Sequence, residues 1–81
     1  MGRAALVVGP ATAAVVAAIR DELSKRGMSR AKLEAASGIR HNRMGIIFRL
    51  ESPITIEETR LICDALGITM TSLIRAAERS V

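Results

Sequence analysis

Apolar residues recur at helical spacing in five short stretches, and glycine, proline or a hydroxyl residue punctuates each gap between them. Gly9-Pro10 opens the first stretch, since proline is well suited to the first turn of a helix. Val16, Ile19 and Leu23 then share one face, while Arg20, Asp21, Lys25 and Arg26 take the other, and Gly27 closes it. Ser29 is placed to cap a second helix, "RAKLEAAS", which Gly38 stops. A third helix, over residues 41–50, carries Met44, Ile47 and Phe48 on one side. After Pro53, Thr55-x-x-Glu58 has the form of a capping box, and Ile56, Ile62, Cys63 and Leu66 form the stripe behind it, up to Gly67. The last helix begins near Thr69 and turns Met70, Leu73 and Ile74 inward. No strand pattern is found unless Leu6–Val8 pairs with something. The expected fold is all-α: a compact bundle of about five short helices with tight connections and no internal repeat.

The apolar run Ala4–Ile19, with Arg3 ahead of it, has the outline of a signal peptide. It is interrupted by Gly9-Pro10, is too short to span a bilayer, and runs straight into the amphipathic "IRDELSKRG". It therefore reads as an apolar N-terminal arm (1–9) leading into one domain (10–81).

Composition narrows the core and the chemistry. Eighty-one residues make one small domain, and its only aromatic is Phe48, so Ala, Val, Ile, Leu and Met must fill the interior. One cysteine, Cys63, excludes an internal disulfide, and one histidine, His41, leaves no zinc cluster or relay. No nucleophile, base and orienting group can be assembled, and no phosphate-cradling glycine loop is present, so an enzyme is not expected. Cys63 and the methionines read as packing residues.

Charge is the more telling quantity. The net charge is +4, but residues 20–50 hold eight Lys/Arg against three acids, while residues 51–81 hold three against five. A basic middle third suits a polyanion or simply a solvated face. Its placement is odd: Arg30 and Lys32 open the second helix, and Arg40 and Arg43 the third. Cations at a helix N-terminus oppose its dipole by roughly 0.3–1 kcal/mol each. An anion lying over both ends, such as a phosphate backbone, would reverse that penalty.

A helix, a three-residue turn containing Gly38, and a second helix in a basic context have the outline of a helix-turn-helix. "IRDELSKRGMSRAKLEAASGI" and "TIEETRLICDALGITMTSLIRAA" resemble the corresponding segments of the Cro/phage-repressor type (xenobiotic response element type) of DNA-binding domain. The resemblance runs from Ile19 to about Glu78. It implies a lambda-repressor-like domain, with "RAKLEAAS" as supporting helix and "RHNRMGIIFRL" covering the recognition helix and its start. Leu33, Ile39, Met44 and Ile47 fall on the family's core positions. His41, Asn42 and Ile46 fall where base edges are usually met, and Arg40 and Arg43 where the DNA backbone is usually touched. Arg30 and Lys32 are further phosphate candidates on grounds of charge, with Arg49, and Lys25 or Arg26 of the first helix, as secondary ones. Asn42 has the groups to pair with adenine N6/N7, His41 to donate to guanine N7 or simply to meet a phosphate, and Ile46 to pack on a thymine methyl. The chain departs from the pattern at Arg30, where Gln is common, at Glu34, where a small residue is usual, and at Arg40, which replaces a Ser/Thr cap.

What the resemblance implies is a sequence-specific regulator of double-stranded DNA. Its most direct mode is a repressor occupying an operator as a homodimer, in the cytoplasm and on the nucleoid of a prokaryote or phage-infected host. The last helix (Leu73, Ile74, Ala77) and the arm (Leu6, Val7, Val8) are the two candidate self-association surfaces. No cofactor, metal, small-molecule ligand or membrane is implied. An antitoxin-type autorepressor that binds a toxin, and a protein-interaction module that reads no bases, stay open as alternatives. Gly45, inside the third helix, would permit close approach of DNA or of the supporting helix.

Overall fold

The computed structural model describes residues 9–79. These form five helices and no strand: α1 (Pro10–Arg26), α2 (Arg30–Ser37), α3 (His41–Phe48), α4 (Ile56–Leu66) and α5 (Met70–Arg79). The pairing considered for Leu6–Val8 lies outside the described residues.

Local chemistry accounts for the boundaries. Gly9 is extended ahead of Pro10, and Gly27, Gly38 and Gly67 end their helices in the left-handed conformation. Ser29 Oγ accepts from the Lys32 N–H at 3.1 Å, and Thr69 Oγ1 from the Ser72 N–H at 3.0 Å. The α4 capping box is complete: the Glu58 N–H donates to Thr55 Oγ1, and the Thr55 N–H to Glu58 Oε1, both at 3.0 Å. Caps of this kind are worth about 1 kcal/mol each.

Every helix contributes to one core. Ile19 of α1, Leu33 of α2, Met44 and Ile47 of α3, Ile62 of α4 and Leu73 of α5 have at most 1% of their surface exposed. Burying each stabilises the fold by about 1.5–3 kcal/mol. Helix α1 packs chiefly along α5 and α2 along α4, while α3 rests against α2. Ile39, in the turn between α2 and α3, is also buried, and its N–H donates to Ser37 Oγ at 3.2 Å. Cys63 is buried in this core, where burial pushes its thiol pKa up, as expected of a packing residue.

Three expectations need correction. Ile56 is not part of the buried stripe: it is 75% exposed at the first position of α4, and Ile54, just ahead of the cap, packs on the core instead. On α5, Leu73 and Ala77 are buried and Met70 packs beside them, but Ile74 is 38% exposed. The third helix stops at Phe48 rather than at residue 50, because the chain turns left-handed at Leu50 (φ 58°). The Leu50 N–H then reaches Ile47 O at 3.1 Å and the Glu51 N–H reaches Ile46 O at 3.0 Å, a Schellman closure without a glycine.

A leucine in that conformation is strained by about 1 kcal/mol or more, and Leu50 is 40% exposed, so its burial offsets that strain only in part. Leu50→Gly should raise stability in urea denaturation by about 1 kcal/mol. A loss of stability would show that the Leu50 side chain contributes more through packing than its backbone costs.

Candidate nucleic-acid interface

The turn Gly38-Ile39-Arg40 sets α3 across α2 and leaves one side of α3 facing outward. Ile39, Met44, Ile47 and Phe48 fix that orientation from within, since all four are buried. On the outer side His41 and Asn42 are exposed and Ile46 is partly so. These three residues line one surface depression together with Arg30, Gly45, Arg49 and Glu51. All three positions expected to face bases, and two of the five expected to meet phosphate, are thus neighbours on one surface.

The first turn of α3 has no side-chain cap: Arg40 is extended and its side chain makes no capping bond. The first turn of α2 differs, because Ser29 caps it. Of the two helix starts, only that of α3 is left without a side-chain cap.

The five cations divide into three kinds. Lys32 and Arg40 are exposed and, among the described residues, have no ion-pair or hydrogen-bond partner on their side chains. Arg49 pairs with Glu51 at 2.8 Å, but both side chains are more than half exposed, so the pair is weak and readily exchanged. Arg30 lies 3.4 Å from Glu34 and sits over the Phe48 ring at 5.7 Å.

Arg43 departs from the part expected of it. Its Nε donates to Glu58 Oε2 at 2.6 Å, and its Nη2 to Glu58 Oε1 at 2.9 Å and to Pro53 O at 3.0 Å. This bidentate pair is partly shielded and ties α3 to the start of α4, so the guanidinium is not free to meet a phosphate. The Arg43 guanidinium is the main reason the Glu58 carboxyl is held down to about 2, with bonds from Thr55 adding to it.

Glu34, the unusual residue at the α2–α3 contact, does not lie idle between the helices. Its carboxylate faces Arg30 on its own helix and His41 Nδ1 on the next, at 3.1 and 3.2 Å from its two oxygens. Gly45 likewise has a different neighbour from those considered. A Cβ there would lie 2.8 Å from Arg49 Nη1, and the nearest atoms all belong to Arg49, whose side chain folds back over the glycine.

One contributor is not apparent in the sequence. Arg20 of α1 donates from Nη2 to Phe48 O at 2.8 Å and stacks 4.9 Å from the Phe48 ring centroid. A cation on the last carbonyls of a helix is favourable, so Arg20 fixes the far end of α3. Helical periodicity places it on the solvent side of α1, and no sequence signal marks the reach of 28 residues.

Away from this surface, Pro10, Ala11, Ala14, Val15, Ile74 and Ala77 line an apolar groove between α1 and α5. Among the described residues no three His, Cys, Asp or Glu side chains come together as a metal site, and no helix is long and apolar enough to cross a membrane. No protein-family model matches the chain, and no curated protein or solved structure matches it.

Two measurements test these contacts. Because Glu58 has a lower pKa folded than unfolded, its contribution is fully present above the ordinary carboxylate range and is lost as pH falls towards 2. Glu58→Gln should therefore lower stability at pH 7 by about 1–2 kcal/mol, allowing for solvent screening, and the gap to wild type should close between about pH 5 and pH 2. A gap independent of pH would remove the ion pair as its cause. Gly45→Ala should raise stability by about 0.5–1 kcal/mol in urea, since only the end of a flexible arginine must move. Destabilisation would mean that the Arg49 guanidinium cannot yield.

Proposed function

We propose that this protein is a sequence-specific double-stranded DNA-binding regulator of the helix-turn-helix, lambda-repressor-like kind. In this reading α2 and α3 form the motif and α3 lies in the major groove as recognition helix. The observation that carries the proposal is the outer face of α3. There, an amide, an imidazole and an aliphatic side chain share one depression, beside an uncapped helix start and the exposed Lys32 and Arg40, which have no partner among the described residues. Those groups match what a major groove offers: donor and acceptor edges, thymine methyls, and phosphates on either rim. The direct mode of action is a repressor that occupies an operator, acting in the cytoplasm on the nucleoid of a prokaryote or phage-infected host.

A module this small gains specificity by binding two half-sites about one helical turn apart, which calls for a second copy. Of the three α5 residues considered for self-association, Leu73 and Ala77 are buried in the protein's own core. Ile74, beside the α1/α5 groove, is the one left at the surface. The alternative surface, Leu6–Val8, lies outside the described residues. The same groove favours a second reading, a protein-interaction module or an antitoxin that engages a toxin there, because its lining is almost wholly apolar.

Salt and base selection separate these readings. Binding to duplex DNA, followed by fluorescence anisotropy, should weaken steeply with salt, with a log–log slope of about −0.9 per phosphate neutralised. Lys32→Ala and Arg40→Ala should each reduce that slope by about one contact and weaken all sequences alike, whereas Asn42→Ala should relax preference at one base pair. Arg43→Ala should act through folding stability instead, because its partners are Glu58 and Pro53. Absence of binding to random and genomic duplexes at low salt would reject DNA binding and favour the protein-interaction module.

A further inference from the structure

We propose that Glu34 fixes the tautomer of His41, and so decides which base edge the histidine reads: a base amino group when the ring is neutral, guanine when it is protonated. The inference rests on the DNA-binding reading above and names the base chemistry at one of its positions.

The geometry starts with Nδ1 of His41, which lies between the two Glu34 oxygens at 3.1 and 3.2 Å. A carboxylate has no proton to give, so Nδ1 must be the donor. Glu34 is well placed to impose this. Its side chain is only 15% exposed, and Arg30 Nε lies 3.4 Å from Oε2, which holds the carboxylate in place and offsets its charge. The histidine side chain is 74% exposed, and among the described residues nothing is hydrogen-bonded to Nε2.

The rest follows from counting protons. A neutral imidazole carries one; with that proton on Nδ1, Nε2 presents a lone pair and only accepts. In the major groove the donors are adenine N6 and cytosine N4, while guanine offers only acceptors at N7 and O6. A neutral His41 therefore selects an amino group and cannot donate to guanine, contrary to the pairing first expected for it. One added proton, at Nε2, turns the same nitrogen into a donor and reverses the selection. Binding to a guanine site then takes up a proton from solvent.

Several charges face the ring. Glu34 and Arg30 come from α2, Arg40 precedes His41 at the helix start, and Arg49 and Glu51 line the far side of the same depression. Arg43 is turned away to Glu58. Among the described residues only Glu34 bonds the ring, so removing it frees the proton to sit on Nε2. The neutral ring then donates, and the preference becomes guanine whatever the protonation state.

The test is direct because the chain has a single histidine. Two-bond proton–nitrogen NMR spectra of the free protein report both the protonation state and the tautomer of that ring. We expect the Nδ1–H form in the neutral wild type and the Nε2–H form in Glu34→Ala. Should Glu34→Ala fail to fold, Glu34→Met keeps the side-chain length while removing the carboxylate acceptor, and gives the same shift. Duplexes are then selected from a random pool at one pH where the spectrum shows a neutral ring and at one where it shows a protonated ring.

For wild type, one position should favour adenine or cytosine at the first pH and guanine at the second, each by about tenfold. In the Glu34 variant that position should favour guanine at both, and in His41→Ala it should lose preference while binding persists. An Nε2–H tautomer in the neutral wild type, or the same base at both pH values, overturns the proposal. If no duplex binds a protein that shows the Nδ1–H form, the DNA reading fails, and the base reading with it, while the tautomer assignment stands.

Discussion

The carboxylate of Glu58 is the point at which the parts of this small domain are tied together. One oxygen accepts from the Thr55 backbone and from Arg43, the other from Arg43 alone. A single side chain thereby starts α4, anchors α3 and, through the Arg43 bond to Pro53, holds the connection between them. A capping glutamate is usually a local device worth about a kilocalorie per mole. Here it is also half of a bidentate, partly shielded ion pair, so the anchoring of α3 to the start of α4 weakens when that carboxyl is protonated. At the other end of α3, Arg20 does the corresponding work on Phe48. The helix is pinned at both ends by guanidinium groups, and its middle is left to hydrophobic packing.

That pinning alters the meaning of the basic middle third. Counted along the chain, the cations in and around α3 form a single cluster; in space they do three different jobs. Arg43 neutralises an acid of α4, Arg49 lies over Gly45 and pairs weakly with Glu51, and Arg40 has no partner among the described residues. The basic character of the outer face therefore comes from Lys32 and Arg40, with Arg30 and Arg49 in loose pairs, rather than from every arginine in the run. Glu34 belongs to the same picture. At a contact where a small residue would let the helices close, a carboxylate bridges Arg30 and His41, so the helix–helix contact is partly polar and the histidine is held by it.

Much of this fold is legible in the residues themselves. The helix limits follow from Pro10, Ser29, Thr55, Thr69 and three glycines because capping depends on residues within one turn. The core follows from periodicity, with Val16, Ile19, Leu33, Met44, Ile47 and Ile62 all buried. Periodicity fails where a neighbour is missing or incomplete. Ile56 has the right spacing but stands exposed at the first position of α4, Ile74 is only partly covered at the α1/α5 groove, and α3 closes two residues early on a left-handed leucine that no propensity favours. The set His41, Asn42 and Ile46 comes from the family resemblance rather than from spacing, and the structure leaves the first two exposed and the third partly so.

Sequence by itself determined five helices, their caps and which face of each turns inward, because these depend on neighbours within about four residues. Tertiary structure alone decided where the long side chains go. Whether an arginine meets water, an acid of another helix or a backbone carbonyl depends on groups 15 to 28 positions away. No local pattern encodes that distance. The same is true of His41: its place on the outer face was readable, but the proton it presents there is set by a glutamate seven residues back across a turn.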